Sequence, residues 1–234
     1  MNRSSNRYSS WIDRAESFVR QLNHLPGCWG ISISIKPPIS TTEADNLAET
    51  LPLGLPEPLR EFYTEGAGEC RCRYHWSPGK DDLPQIQEIF PHQMSFYGGP
   101  ELIPWNELRE AHEIHHWWDD LNENVTEEQE KARDAWRHTV PFINVGNGDC
   151  VALHIKKNSQ TSPVVYLCHD DPEMPVTPLS TSFDQFLSDW ETLCYVGPEI
   201  WLLDAFLSEQ DQRQLNVQQE NVRRWRDILG VTRE

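Results

Sequence analysis

The sequence predicts a single α+β domain in which helices pack around a twisted, mostly antiparallel sheet. Three features of residues 139–190 predict this class: closely spaced apolar strands, a glycine-rich turn between them, and an amphipathic helix after them. Strands joined by tight turns pair antiparallel, and a helix with one apolar face must cover an apolar surface. A chain of 234 residues fits one elaborated domain of this kind.

The strands of this segment are separated by short polar connections. Residues 140–145 form a buried strand, and Gly146-Asn147-Gly148-Asp149 supplies residues that tolerate positive φ in a hairpin turn. Residues 150–155 form the returning strand. A third strand over 163–168 ends at His169-Asp170-Asp171-Pro172, which is turn chemistry. We therefore expect a three-stranded antiparallel meander.

The helix after these strands covers the meander. Ser182 and Gln185 have the spacing of a capping box, and Phe183, Phe186 and Leu187 fall on one helical face. We expect Phe142, Val165 and Phe186 to belong to one core beneath this helix.

The flanking segments predict further helices and strands. Hydrophobic periodicity predicts an amphipathic helix over 10–23, and alternation predicts an edge strand over 31–35 that Pro37-Pro38 ends. Thr41 or Thr42 caps a short helix that reaches Leu51, and a second short helix spans 56–65.

Alternation and hydrophobic periodicity also predict the strands and helices of residues 69–136 and 200–229. Strict alternation over 69–76 predicts a half-buried strand with Trp76 on its apolar face. The remaining predicted elements are short strands over 86–90 and 94–97, helices over 106–121 and 126–136, an apolar segment over 200–207, and a last helix over 217–229.

Two segments carry the most specific motifs of the chain. The first lies within 43–68 and contains Leu55-Pro56 followed by Phe62-Tyr63. The motif residues of the second are Pro141, Phe142, Gly148, Asp149, Val165, His169, Asp170, Phe183, Phe186 and Leu187. Together they resemble the SUKH superfamily, the Smi/Knr-type proteins that include bacterial toxin-immunity proteins and fungal regulators of cell-wall assembly.

The resemblance implies an α+β core over 41–194, in which the motif residues are structural. On this division, 1–40 forms an N-terminal amphipathic helix and edge strand, and 195–234 forms a helical extension packed on the core. The resemblance also implies a protein that binds a partner without chemistry of its own.

Composition narrows the choice of partner and compartment. The formal net charge of −17 disfavours binding to nucleic acid, which needs clustered Lys and Arg, and suits a basic protein partner. No apolar run is long enough to span a membrane, and the N-terminus lacks the apolar region of a secretory signal. We expect a cytoplasmic protein with reduced cysteines.

One motif points to a different class of function. Residues 112–116, His-Glu-Ile-His-His, satisfy the HExxH pattern in which two histidines one helical turn apart share a zinc ion and the glutamate activates a water molecule. The third ligand of the extended pattern is absent, because Asn122 stands where that pattern requires histidine. Another residue could take that role: Glu127, Glu128, Glu130 or His138. The polar flanks are those of a half-exposed helix. A zinc-dependent hydrolase is therefore an alternative, and we expect neither a metal nor a cofactor.

The acidic residues around the third strand have two interpretations. Asp149, His169, Asp170 and Asp171 could converge as a metal or acid-base site. Turn chemistry explains them better, because such carboxylates accept hydrogen bonds from backbone N–H groups.

The leading hypothesis is an immunity protein that occludes a cognate toxin, with a regulatory scaffold of the cell-wall assembly type as the other binding hypothesis. Both need an exposed surface. Residues in polar loops or with exposed aromatic rings are the candidates for contact with a basic toxin domain: Trp76, Asp81, Asp82, Trp117, Trp118, Asp170 and Asp171. The sequence leaves the identity of the partner and the oligomeric state open.

Overall fold

The computed structural model describes residues 6–115, 126–155, 162–170, 176–208 and 213–231. Within these ranges the chain forms two antiparallel sheets surrounded by helices, which confirms the α+β class. The first sheet has the order β1-β2-β3, with β1 Cys28–Lys36, β2 Glu69–Trp76 and β3 Phe96–Gly98. The second has the order β4-β5-β6-β7, with β4 Thr139–Asn144, β5 Cys150–His154, β6 Val164–Leu167 and β7 Val176–Ser180.

The helices lie before, between and after the strands. In chain order they are α1 Arg7–Gln21, α2 Thr41–Thr50, α3 Glu57–Glu61, α4 Leu83–Gln87, α5 Leu108–His115, α6 Glu127–Arg137, α7 Phe183–Thr192, α8 Ile200–Leu203 and α9 Glu220–Ile228. A π-helical turn at Phe62–Gly66 continues α3, and 3₁₀ turns follow α1 and α8.

Side-chain caps fix the beginnings of two of the helices that the sequence predicts. The Ser182 side chain accepts a hydrogen bond from the backbone N–H of Gln185, which is one half of the predicted capping box. The Gln185 side chain donates to Asp189 at 2.8 Å. Helix α2 begins after Ser40, whose side chain and Glu43 form a reciprocal capping box. The cap is therefore Ser40, and the prediction of Thr41 or Thr42 is wrong.

Two strand predictions need correction. Residues 86–90 do not form a strand, because α4 spans Leu83–Gln87 and places Ile86, Ile89 and Phe90 on one buried side at helical spacing. The meander has a fourth strand, β7, which pairs with β6. Its Pro178 obscures this strand in the sequence, since proline cannot donate to a ladder and is confined to edge positions such as this one.

A segment between the two sheets joins them. The backbone N–H of Cys72 in β2 donates to the carbonyl of Pro100, and the N–H of Ile103 donates to the carbonyl of Phe142 in β4. Residues 100–103 therefore hydrogen-bond to both sheets, so that the end of β4 lies close to β2 and β3.

The second sheet is covered on both faces. Phe142, Val164 and Tyr166 belong to the main core beneath α7, where the ring of Phe142 makes edge-to-face contacts with Phe183 and Phe186. Val165 lies in a separate cluster on the opposite face. The members of that cluster are Trp136, Cys150, Ala152, Val165 and Leu167. The expectation that Val165 shares one core with Phe142 and Phe186 is wrong, because neighbouring strand residues point to opposite faces.

The first and last described helices, α1 and α9, pack on the main core. Trp11 of α1 donates its indole N–H to the carbonyl of Leu187, and Trp225 of α9 donates to the carbonyl of Leu193. Both rings are buried. No helix among the described residues has the length and apolar character needed to cross a membrane.

Candidate functional site

The turn between β4 and β5 places a carboxylate in the interior. Gly148 has φ +102°, which only glycine adopts readily. A side-chain carbon at this position would lie 3.5 Å from Nδ1 of His169, so the backbone here packs beside that ring. The backbone N–H of Asp149 donates to the Asn147 side chain at 3.0 Å. This Asx-type contact turns the Asp149 side chain inward, where it is 1% exposed.

The Asp149 carboxylate accepts hydrogen bonds at both of its oxygens. Oδ1 accepts from the backbone N–H of His169 at 2.8 Å and from the ring Nδ1–H of His169 at 2.7 Å. Oδ2 accepts from the Asn147 amide at 2.8 Å and from the Tyr166 hydroxyl. Burial by itself raises the pKa of Asp149, but these hydrogen bonds outweigh it and hold the pKa below its ordinary value. We call Asn147, Asp149, Tyr166 and His169 the carboxylate latch.

The carboxylate latch fastens the hairpin to the end of β6. Three of the four residues selected from the sequence, Asp149, His169 and Asp170, therefore lie close together. The contacts between Asp149 and His169 are those of a turn. The Sγ of Cys168 lies 3.1 Å from Oδ1 of Asp170, and Asp149, Cys168 and Asp170 offer three ligand atoms within 4.8 Å of one another. A cation there would have to displace hydrogen bonds that Asp149 already accepts, so the donor set is better suited to structure than to metal binding. Asp171 lies outside the described residues.

The HExxH segment lies at the C-terminal end of α5. His112 is buried, whereas the Glu113 side chain is 64% exposed and faces Arg109 across 3.9 Å. His115, which the pattern leaves out, is buried with Nε2 3.1 Å from the side-chain oxygen of Asn144. His116 and the indoles of Trp117 and Trp118 lie outside the described residues. The described part of the motif thus has its histidine in the interior and its glutamate in solvent.

Trp76 is not available as an exposed anchor, and this sequence prediction is wrong. It is 1% exposed, its indole N–H donates to the carbonyl of Pro26 at 2.9 Å, and its ring centroid lies 5.8 Å from that of Phe96 and 5.8 Å from that of Trp225. Helix α9, far away in sequence, covers the face of β2 on which Trp76 stands.

The exposed tryptophan of this sheet is Trp29, for which the sequence predicted no contact with a partner. It is 58% exposed and stacks on His75 with ring centroids 4.6 Å apart. The two residues are opposite each other in the β1–β2 pair. The preceding Gly27 and the alternation of β2 are the sequence signals that could have placed them on the outer face.

The exposed aspartates lie in two places. Asp81 and Asp82 stand in the turn before α4, whereas Asp170 follows β6 of the second sheet. All three are exposed, and they follow strands of different sheets of the fold.

Comparison with known proteins identifies a family. The model of the SMI1 / KNR4 family (SUKH-1) matches residues 38–189. The match begins after β1 and ends within α7, so α1, β1 and the helices after α7 lie outside it. It includes every residue of the carboxylate latch. Neither a curated protein nor a solved structure matches the chain.

Proposed function

Because the chain belongs to the SMI1 / KNR4 family (SUKH-1), we propose that it is an immunity protein that binds a cognate toxin and occludes it. The family match over residues 38–189 is the observation that carries the proposal. Proteins of this family are generally non-enzymatic immunity or regulatory proteins. The six free cysteines suit action in the cytoplasm, where thiols stay reduced.

The carboxylate latch supports a binding role over a catalytic one. Asp149 and His169 are the residues most suggestive of acid-base chemistry, and the hydrogen bonds of Asp149 are used to hold the hairpin against β6. A carboxylate with a lowered pKa and four donors around it stabilises a fold more readily than it moves a proton.

The charge of the chain supports a basic partner. A net charge of −17 attracts a cationic protein surface and speeds its association. Asp81, Asp82 and Asp170 present exposed carboxylates to such a surface, and Trp29 presents an exposed ring that is held in place by His75. Aromatic anchors of this kind set the rate at which a complex dissociates.

The test starts from the neighbouring coding sequence. If it encodes a toxin, co-expression of this chain should restore the growth of cells that produce the toxin. The two purified proteins should also form a stoichiometric complex. A toxin that stays active and unbound in the presence of this chain would contradict the proposal.

Variants of the complex then locate the surface. Changing Asp81, Asp82, Asp170 and Asp171 to Asn should slow association at low salt by about tenfold, since long-range attraction acts on the encounter rate. Trp29→Ala should mainly speed dissociation, whereas Trp201→Ala, at another exposed tryptophan, should not. Unchanged rates in both sets of variants would move the binding surface elsewhere.

A further inference from the structure

A cavity of about 300 Å³ lies where the two sheets meet. Its walls come from β2 and β3, from the end of β4, and from the segment after α7. The residues that matter below are Arg73, His75, Tyr97, Glu101, Trp190 and Glu199. The cavity is at the lower end of the volume range of ligand-binding cavities. It is separate from the carboxylate latch, none of whose residues lines it.

Glu199 is the unusual member of this wall. It is 4% exposed, and its Oε2 has no hydrogen-bond partner among the atoms that the structure describes. The backbone at Gly197 passes so close that a side-chain carbon there would lie 2.8 Å from Oε2. A buried carboxyl oxygen without a donor costs stability and holds no element of the fold in place, and such groups are concentrated at functional sites.

The other charged side chains of the cavity do not satisfy Glu199. Arg73 donates from Nε and from Nη2 to the two oxygens of Glu101, at 2.8 and 2.6 Å. The wall therefore holds one guanidinium and two carboxyl groups, and the guanidinium is already engaged with the first of them. A cationic ligand would supply the missing hydrogen-bond donor of the second carboxyl group, Glu199.

The rings of the wall favour a planar cation. His75 and Tyr97 have ring centroids 6.2 Å apart and line the same cavity. A guanidinium group is planar, so it stacks flat on an aromatic face and can donate two parallel hydrogen bonds to a carboxylate. An ammonium group is also attracted to aromatic faces but has neither of these planar geometries. On its outer side, His75 stacks against the exposed Trp29, so the mouth of the cavity adjoins an exposed aromatic surface.

We propose that this cavity binds the guanidinium group of an arginine side chain carried by the protein partner, with Glu199 as its acceptor. The inference rests on the proposed binding function and adds the chemistry of one contact. In that complex the arginine donates to Oε2 of Glu199 and its plane lies against the ring of Tyr97. Trp29 contacts the partner beside the inserted side chain.

The first experiment uses the full chain and a small probe. Nα-acetyl-arginine-N-methylamide is titrated into the isotopically labelled protein, with the citrulline and lysine analogues as matched probes. Citrulline keeps the shape and removes the charge. We expect saturable binding of the arginine probe, at least about tenfold weaker binding of citrulline, and shift changes at the Trp190 indole N–H and the Gly98 amide. Equal binding of arginine and citrulline, or shift changes confined to other parts of the molecule, would overturn the proposal.

The second experiment changes the acceptor. Glu199→Gln keeps the size of the side chain and should weaken binding of the arginine probe by about tenfold or more. Glu110→Gln, at an exposed position of α5, should leave the affinity for the probe unchanged. Equal affinity in the wild type and in the folded Glu199→Gln variant would overturn the proposal. Because the shift changes are measured on the wild type, a variant that fails to fold does not remove the test.

Failure of the proposed arginine contact and failure of the proposed immunity function give different experimental results. A toxin that binds the wild type and Glu199→Gln with the same affinity contradicts the arginine contact and leaves the immunity function standing. Probe binding at Glu199, together with a toxin that is neither bound nor neutralised, supports the chemistry of the cavity and contradicts the immunity function.

Discussion

Two regions of the molecule each bury a carboxyl group, and they differ in the number of hydrogen-bond donors that surround it. In the carboxylate latch, Asp149 is 1% exposed and accepts four hydrogen bonds. In the cavity between the sheets, Glu199 is 4% exposed and its Oε2 accepts none among the described residues. Burial raises the pKa of Glu199 to about 7, whereas the donors around Asp149 lower its pKa despite burial.

The difference teaches that burial alone does not reveal the role of a carboxyl group. The number of donors around it does, because each donor favours the charged form and compensates for lost water. Asp149 is thus part of the scaffold that holds the hairpin. Glu199, whose Oε2 has no donor among the described residues, lowers stability when it is ionised.

The largest expected loss of stability comes from truncating a core side chain beside the latch hairpin. Phe142→Ala should lower the free energy of unfolding by about 3–5 kcal/mol, since the ring is fully buried between Phe183 and Phe186. Val165→Ala, on the other face, should cost about 1–2 kcal/mol, because it removes only two methyl groups. Urea unfolding measures both. Losses under about 0.5 kcal/mol at both sites would be those of surface positions and would show that neither face is a core.

Removal of the latch carboxylate should be nearly as costly. Asp149→Ala leaves the Tyr166 hydroxyl and the His169 donors without their acceptor, so we expect a loss of about 3 kcal/mol at pH 7. Asp13→Ala, at an exposed position of α1, is the control and should change stability by less than about 0.5 kcal/mol.

The pH dependence of the latch has a definite sign. Because the pKa of Asp149 is lowered on folding, the unfolded chain takes up the proton first as the pH falls. The contribution of Asp149 to stability is therefore complete above its unfolded pKa and is lost as the pH falls through the folded pKa. An Asp149→Asn variant should show a smaller loss of stability in acid than the wild type does. An unchanged acid limb would mean that folding does not lower the pKa of Asp149, which would contradict the prediction.

Glu199→Gln should raise stability at high pH, whereas removal of the Asp149 carboxylate should lower it. The folded pKa of Glu199 is raised to about 7 from 4.5, so the wild type loses stability as the pH rises through that window. The variant lacks this loss and should be more stable than the wild type by on the order of 2 kcal/mol at pH 8, with little difference at pH 4.5. Arg73, His75 and Glu101 face the same cavity and are unchanged in the comparison. A variant that is less stable at both pH values would show that Glu199 supports the fold, as Asp149 does.

The smallest expected effect concerns the buried histidines of α5. His112 is 2% exposed while Glu113 points to solvent, so we expect elemental analysis of the purified protein to find no stoichiometric zinc. Changing His112 and His116 to Ala should accordingly leave the metal content unaltered. One zinc per chain, lost in this double variant, would favour the hydrolase alternative.

Local chemistry determined several features of this protein before any tertiary contact is considered. The turn at Gly148 and Asp149, the strand over 69–76 and the cap at Ser182 follow from turn propensity, alternation and side-chain capping, each of which acts within a few residues. The family motifs are built from the same local features, which is why the resemblance could be stated from the sequence.

Contacts between distant segments decided the rest. Alternation showed that Trp76 shares a face with Cys70, Cys72 and Tyr74, and only the packing of Trp225 shows that this face is covered at Trp76. The division into two sheets, the separate cluster around Val165 and the cavity at Glu199 likewise depend on which elements meet. Sequence periodicity identifies the residues that share a face, but the solvent exposure of that face is set by whichever distant segment packs against it.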